Sequence, residues 1–359
     1  MTSAADGPFR SLLETFRRDH DTPALGGAVL TADGRLDVDV VGTRKRGGDD
    51  PARLEDAWHI GSCGKSITAA LYARLVEAGD AAWAAPLSDL FPDLASRIDP
   101  GWGGITIDDV LVHRSGLPAN LGRSRMRSGF ADERPLPDQR SEAVAEALAR
   151  PPRRPGRFRY SNLGYVLAGA AIDRIAGVPF ETALSRHVLA PLGMGSAGFG
   201  PPRGLWGHGG RILALGPLGM VDLGGGSPAD PERPESDNPA VMNPAGRLHV
   251  TLEDWARFQR VFLTGGGGFL QAAAVERLLT PPAGPGRGQA MGWAAALGLD
   301  DVSLGQQGSN TYWVATALID GSRSRTAMVV CNRGRARLLK RTPRLAAELL
   351  TSGVRRRPS

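Results

Sequence analysis

Lysine is nearly absent from this chain. Of 43 basic residues in 359, only Lys45, Lys65 and Lys340 are lysines, and the rest are arginines. Cysteine is scarcer still. Cys63 and Cys331 stand alone, which excludes a disulfide framework and a cysteine-rich metal site. No stretch approaches the roughly 18 consecutive apolar residues of a membrane-spanning helix, so no membrane partner is expected. The first twenty residues carry charges at helical spacing and lack the apolar segment of a secretory signal, which predicts a cytoplasmic protein. Neither an H-E-x-x-H nor any other metal spacing occurs, and no G-x-S-x-G surrounds a serine. Metal and cofactor are therefore both expected to be none.

What is present is ordinary for a folded globular protein. Hydrophobic residues make up 42% and charged residues 22%, which excludes a disordered or collagenous chain. The net charge of +6 comes from scattered arginines with only short basic runs, so a solvated surface is expected and a nucleic-acid partner is not. With 48 glycines and 27 prolines, long loops should connect the packed elements.

Apolar periodicity predicts a helix over 8–20, then strands over 26–31 and 36–41 around Ala32-Asp33-Gly34. The clearest helix spans 62–78, with Ile67, Leu71 and Leu75 as its stripe and Gly79 as its stop. Further helices are expected at 105–112, 141–150, 162–176 and 181–191, with arginine-rich loops near 122–134 and 150–159. The Gly/Pro-rich stretch 200–246 reads as a long functional loop. Helices follow at 252–263 and 272–280, strands at 297–304, 312–319 and 326–331, and a closing helix at 338–350. Strands at both ends and helices between predict one domain over 1–359. Its α/β lobe would comprise about 1–57 and 247–359, and its mainly helical lobe about 58–246.

The chemistry concentrates in two short motifs. Ser62-Cys63-Gly64-Lys65 is an S-x-x-K opening the strongest helix. Residues three apart share a helical face, so the Lys65 amine can reach the Ser62 hydroxyl. A serine hydroxyl needs an adjacent base to act as a nucleophile, and a lysine can serve once its pKa is lowered. The plain alternative is an N-cap serine beside a surface lysine. Tyr160-Ser161-Asn162 is the sole Y-x-N in the chain. A phenol there can relay a proton to a leaving group, and an amide can hold a substrate carbonyl and contact the lysine. Its plain alternative is a loop tyrosine followed by an N-capping Asn.

These motifs, with Trp58–Ile60 before the first, Leu111-Val112-His113-Arg114-Ser115-Gly116-Leu117, Asn243-Pro244-Ala245-Gly246 and Gly305-Gln306-Gln307-Gly308-Ser309-Asn310-Thr311, occur in family order. The chain resembles the serine β-lactamase and penicillin-binding protein superfamily, in its class C β-lactamase-like branch of esterases, amidases and transacylases. That resemblance implies an α/β (α+β) fold: an antiparallel sheet flanked by helices, an inserted all-α lobe, and an active site between the lobes. It implies that Ser62 is acylated, Lys65 is its base, Tyr160 shuttles protons and Asn162 orients the acyl side. The backbone N–H groups of Ser62 and Ser309, the latter on an edge strand, would form the oxyanion hole.

The substrate-binding set is completed by Gln306, Gly308, Asn310, Trp313 and His208. The family carries Lys or His where this chain has Gln306, which argues against a carboxylate-bearing penicillin or D-Ala-D-Ala peptide and favours a neutral ester, lactone or amide. The expected partners are a small-molecule acyl donor and an amine or alcohol acceptor. Acyl transfer to water or to that acceptor, in secondary metabolism, is the leading reading. β-Lactamase or D-amino-acid peptidase activity and a non-catalytic binding protein are the rivals.

Overall fold

Residues 7–209, 212–214, 220–222, 226–283, 289–295 and 298–352 are described in a computed structural model. Apolar residues near both chain ends build one antiparallel sheet. Its strands are β1 (Ala24–Thr31), β2 (Leu36–Gly42), β3 (Val302–Ser309), β4 (Val314–Asp320) and β5 (Arg325–Cys331). The order runs from the two-residue strand Ala294–Ala295 through β3, β4, β5 and β1 to β2. The register of β1 on β5 pairs Gly26 with Val330 and Ala28 with Met328.

Side chains alternate across a strand, and here both faces are covered. Leu25, Val29, Val314, Leu318 and Val329 point outward against Leu13 of α1 (Pro8–Asp19) and Leu345 and Leu349 of α6 (Leu338–Ser352). Ala24, Ala28, Ala317, Met328 and Val330 point inward to the larger core shared with the helical lobe. Fully burying one such Leu or Val contributes about 1.5–3 kcal/mol. A side chain on Gly26 would lie 2.8 Å from Leu252 on the inner face, and one on Gly27 2.8 Å from Leu13 on the outer face.

The helical lobe centres on α2 (Gly64–Glu77), which runs from the sheet into α5 (Asn162–Ala176) and its neighbours. The expected stripe of Ile67, Leu71 and Leu75 is buried, but so is nearly every other residue from Gly64 to Ala73. Ala69, Ala70 and Ala73 let neighbours approach from all sides, as in a central rather than a surface helix. The 162–176 helix has the expected bounds, capped by Ser161, whose hydroxyl accepts from the Gly164 N–H. Capping therefore falls to Ser161, and Asn162 keeps its side chain for the site.

Several expectations shift. The 122–134 segment, read as loop, contains α3 (Arg123–Ser128), and the next helix, α4 (Leu136–Leu148), begins five residues early. The 181–191 helix becomes Phe180–Leu184 continued by a π-turn over Ser185–Leu189. The 297–304 strand starts at Val302, because Gly298 and Asp301 adopt positive φ and turn the chain first. Part of 200–246 lies outside the described residues; the remainder includes Gly207–Gly209 paired with Ser227–Ala229 and a short helix at Asn243–Gly246. Residues 355–357, one of the short basic runs, also lie outside them. Among the described residues no single helix is long and apolar enough to cross a membrane.

Candidate active site

A 3₁₀ turn, Gly61–Cys63, delivers Ser62 to the start of α2. The turn is wedged between β3 and the Asn243–Gly246 helix, and three glycines make the wedge fit. A Cβ on Gly61 would stand 2.4 Å from Ser309 N, one on Gly308 2.0 Å from Ile60 O and 2.6 Å from Ser62 N, and one on Gly246 3.1 Å from Ser62 N. Any side chain at Gly308 would push the nucleophile turn off the strand. The strand Ala294–Ala295 covers β3 only at Leu304 and Gly305. Among the described residues no strand pairs with Gln306–Ser309 on that edge, and Gly308 and Ser309 abut the Ser62 turn.

The Ser62 hydroxyl oxygen lies 3.1 Å from Lys65 Nζ and accepts the Tyr160 hydroxyl at 2.6 Å. Lys65 is 1% exposed. Its amine donates to Asn162 Oδ1 at 2.7 Å and to the Ala245 carbonyl. Lys65 Nζ thus meets three oxygens, those of Asn162, Ala245 and the Ser62 hydroxyl. Asn162 Nδ2 in turn donates to Asn120 Oδ1 at 2.7 Å. Ser62, Lys65, Tyr160 and Asn162, read from two motifs nearly a hundred residues apart, form one bonded cluster.

His113 braces this cluster from behind. Its ring sits 4.5 Å from that of Tyr160, and its Nδ1 accepts the Ser161 N–H at 3.1 Å. Burial, reinforced by the nearby Lys65 charge, pushes His113 down to about 3. The ring stays neutral and adds no second positive charge beside the lysine. Tyr165 packs on the same side and donates to the Leu111 carbonyl at 2.9 Å. Cys63, next to the nucleophile, is fully buried, and its burial holds the thiol well above its ordinary range. It packs in the core.

Beneath the strand side lies a buried polar knot that sequence reasoning missed. Asp237 Oδ2 accepts from His59 Nε2 at 2.9 Å, and its Oδ1 accepts from Asn310 Nδ2 at 2.9 Å; Arg247 stands 3.4 Å away. His59 Nδ1 accepts the Gly61 N–H at 3.2 Å. Asn310 Oδ1 accepts the N–H groups of Tyr312 and Trp313. One carboxylate therefore ties the turn before Ser62 to the turn after Ser309. Its His59 and Arg247 neighbours hold Asp237 below the usual carboxylate range against the cost of burial.

Above Ser62 opens a cavity of about 690 Å³. Ser62, Asn162, Ser309 and Asn310 line it, joined by Asn120, Met126, Phe130, Met242 and Gly246, and by Arg123 and Arg127 of α3. Four expected binding residues do not line it. His208 is fully buried, its Nε2 accepting the Arg46 N–H and its Nδ1 bonded to the Asn332 carbonyl, so it is a structural residue. Trp313 is likewise buried, stacked on His59. Gln306 is 3% exposed and does not line the cavity, and among the described residues neither of its amide atoms has a hydrogen-bond partner. Gly308 contributes its backbone approach to Ser62. Asn120 and the α3 arginines gave no sequence signal, because a lone Asn and two arginines among many carry no pattern. Among the described residues no three His, Cys, Asp or Glu side chains gather as a metal site.

A serine held between a buried amine and a phenol, in a cleft between an antiparallel sheet and a helical lobe, defines a class of active-serine hydrolase folds. The chain belongs to the Beta-lactamase family, whose model matches residues 9–351. Among solved structures it is similar to a class C beta-lactamase (TM-score 0.76, 16% identity, 99% of both chains). It is also similar to the D-amino acid amidase of Ochrobactrum anthropi SV3 (TM-score 0.74, 20% identity, 96% of this chain and 100% of that one). In sequence it resembles Penicillin-binding protein 4 of Amycolatopsis lactamdurans, with 25% identity over 70% of this chain and 62% of that protein. Esterase EstB of Burkholderia gladioli is 31% identical over 42% of this chain and 40% of that protein. The matched stretch thus spans only about three-fifths of the length of the first of these curated relatives. The expected class C-like fold is the observed one.

Proposed function

We propose that the protein is a serine acyl-transfer enzyme. It takes an acyl group from a small-molecule ester or amide onto Ser62 and passes it to water or to an amine or alcohol. One observation carries the reading: the Ser62 hydroxyl oxygen lies 3.1 Å from Lys65 Nζ and 2.6 Å from the Tyr160 hydroxyl. In acylation, Lys65 removes the Ser62 proton as Oγ attacks the carbonyl carbon. The oxyanion that forms is met by the N–H groups of Ser62 and Ser309, and losing one such donor costs about 2.7–4 kcal/mol. Tyr160 delivers the proton to the leaving oxygen or nitrogen, whose bond to carbon breaks. Deacylation repeats the sequence with water or the acceptor as the nucleophile. A cytoplasmic setting belongs to the same reading.

β-Lactamase or D-amino-acid peptidase activity is the second reading. Gln306 speaks against it, because the strand wall offers no cation where the family has one. Supplying an activated ester with and without an added amine separates hydrolysis from transfer. An amide product growing with amine concentration supports a transacylase, and free acid alone supports a hydrolase. Ser62→Ala should abolish both products with the fold intact, and retained turnover contradicts the reading. The non-catalytic alternative predicts no product from any ester.

A further inference from the structure

The cavity above Ser62 carries charge of one sign, all of it on one wall. Among the described residues its lining holds Arg123 and Arg127 and no carboxylate. The two arginines are four residues apart on α3 and so share one face. Both are exposed, and among the described residues neither has an ion pair or hydrogen-bond partner. Arg125, two positions from each, projects to the opposite side and is held by Glu142 and Glu146 of α4. Asp132 is taken by Arg134. Glu142, Glu146 and Asp132 are thus already paired with other arginines, and among the described residues the two cleft arginines have no ion-pair partner.

A smaller cavity of about 420 Å³ shares Arg123 and Arg127 and adds Ser124 and Ser128. Guanidinium and hydroxyl groups are donors whose natural complement is a carboxylate, which guanidinium binds in a bidentate fork. Met126 and Phe130 border the same wall, which suits an apolar chain leading to the charge. Asn120, bonded to Asn162, runs through Leu121 directly into α3, so this wall continues the Asn162 side of Ser62. Gln306 leaves the opposite strand wall without a cation.

We propose that the acyl donor carries a carboxylate at the far end of an apolar acyl chain, held by Arg123 and Arg127 while Ser62 attacks. The inference rests on the acyl-enzyme reading above and specifies the donors it serves. Ser62 Oγ bonds to the acyl carbon, the bond to the leaving oxygen breaks, and the serine proton reaches that oxygen through Lys65 and Tyr160. The distal carboxylate is unchanged.

The test compares kcat/KM for three nitrophenyl-type donors: the monoester of adipic or suberic acid, the neutral hexanoate or octanoate, and a hexanoate whose carboxylate sits on the phenol. The acyl-side carboxylate should raise kcat/KM about tenfold over the neutral chain, a gain that shrinks as salt rises. Arg123→Gln with Arg127→Gln should erase the ratio, and Arg123→Lys with Arg127→Lys should retain part of it. Arg134→Gln, outside the cleft, should leave the ratio as it was. Equal rates for charged and neutral chains, a gain only from the phenol-side carboxylate, or a ratio unmoved by the double Gln variant would overturn the proposal. If no donor acylates Ser62 by intact mass, the underlying acyl-enzyme reading fails instead, so the two failures are distinguishable.

Discussion

The two walls of the cleft are built in opposite ways. The nucleophile wall is closed: Lys65 and the buried Asp237 have all their near polar contacts inside the protein, and glycines bring backbone to backbone around Ser62. The α3 wall is open: a six-residue helix presents two exposed arginines with no partner among the described residues. A preorganised wall can fix the reacting atoms, and an open charged wall can choose the substrate. Changes on the first should strike turnover, and changes on the second should strike selectivity or little at all.

The largest effect is expected from Lys65→Arg. Arginine keeps the charge but stays protonated at any working pH, so kcat should fall by about 10²–10⁴-fold while the folded protein persists. Steady-state rates and a thermal melt check this, and near-normal kcat would remove Lys65 as the base. Gly308→Ala comes next. Its Cβ has no room beside Ile60 O and Ser62 N, so the turn must shift, and a displacement of even 1 Å can cost about 10²-fold in acylation rate. Normal acylation in that variant would mean the strand does not set the geometry of Ser62.

Asp237→Asn sharpens the comparison through stability as well as rate. Removing one member of a buried charge cluster leaves Arg247 uncompensated and loosens the turns on both sides of the oxyanion pair. A loss of about 3–5 kcal/mol is expected, with a drop in kcat larger than any change in KM. An unchanged denaturation midpoint would contradict the tie between the two turns.

The site's core was legible because its contacts are either three residues apart on one helix, as in Ser62 and Lys65, or carried by a distinctive triplet, as in Tyr160 to Asn162. The central helices were legible for the same local reason. Strand β3 was harder, because Gly305 and Gly308 break the apolar alternation. They are tolerated there since the turn packs on backbone. His208 misled because a histidine in a Gly-rich stretch looks functional, yet both its ring nitrogens are spent on backbone partners. Asp237, Asn120 and the α3 arginines were invisible, since only tertiary contacts set them apart from similar residues.

Acid should expose the buried histidines next. His113 is pushed down to about 3 and His208 to about 4, both chiefly by burial, from an ordinary value near 6.5. Each folded value lies below the unfolded one, so the unfolded chain binds more protons in between. Stability should therefore rise with pH across that window and lose this slope above it, by up to about 1.4 kcal/mol per pH unit for each histidine. Melts from pH 4 to 7 test this, and a His208→Gln variant should show a shallower slope; an identical slope would contradict the assignment. The smallest effect belongs to the open wall. Arg125→Gln, which unties α3 from the Glu142 and Glu146 pair, should cost only about 0–1 kcal/mol.

The account stands on Ser62 as the acylated atom, and one measurement reaches it directly. The protein is quenched during turnover of an activated ester, digested, and mapped by mass spectrometry. The expected result is one acyl group on the peptide containing Ser62, accumulating in wild type and absent from Ser62→Ala. An acyl group on another residue, or none during measurable turnover, would contradict it.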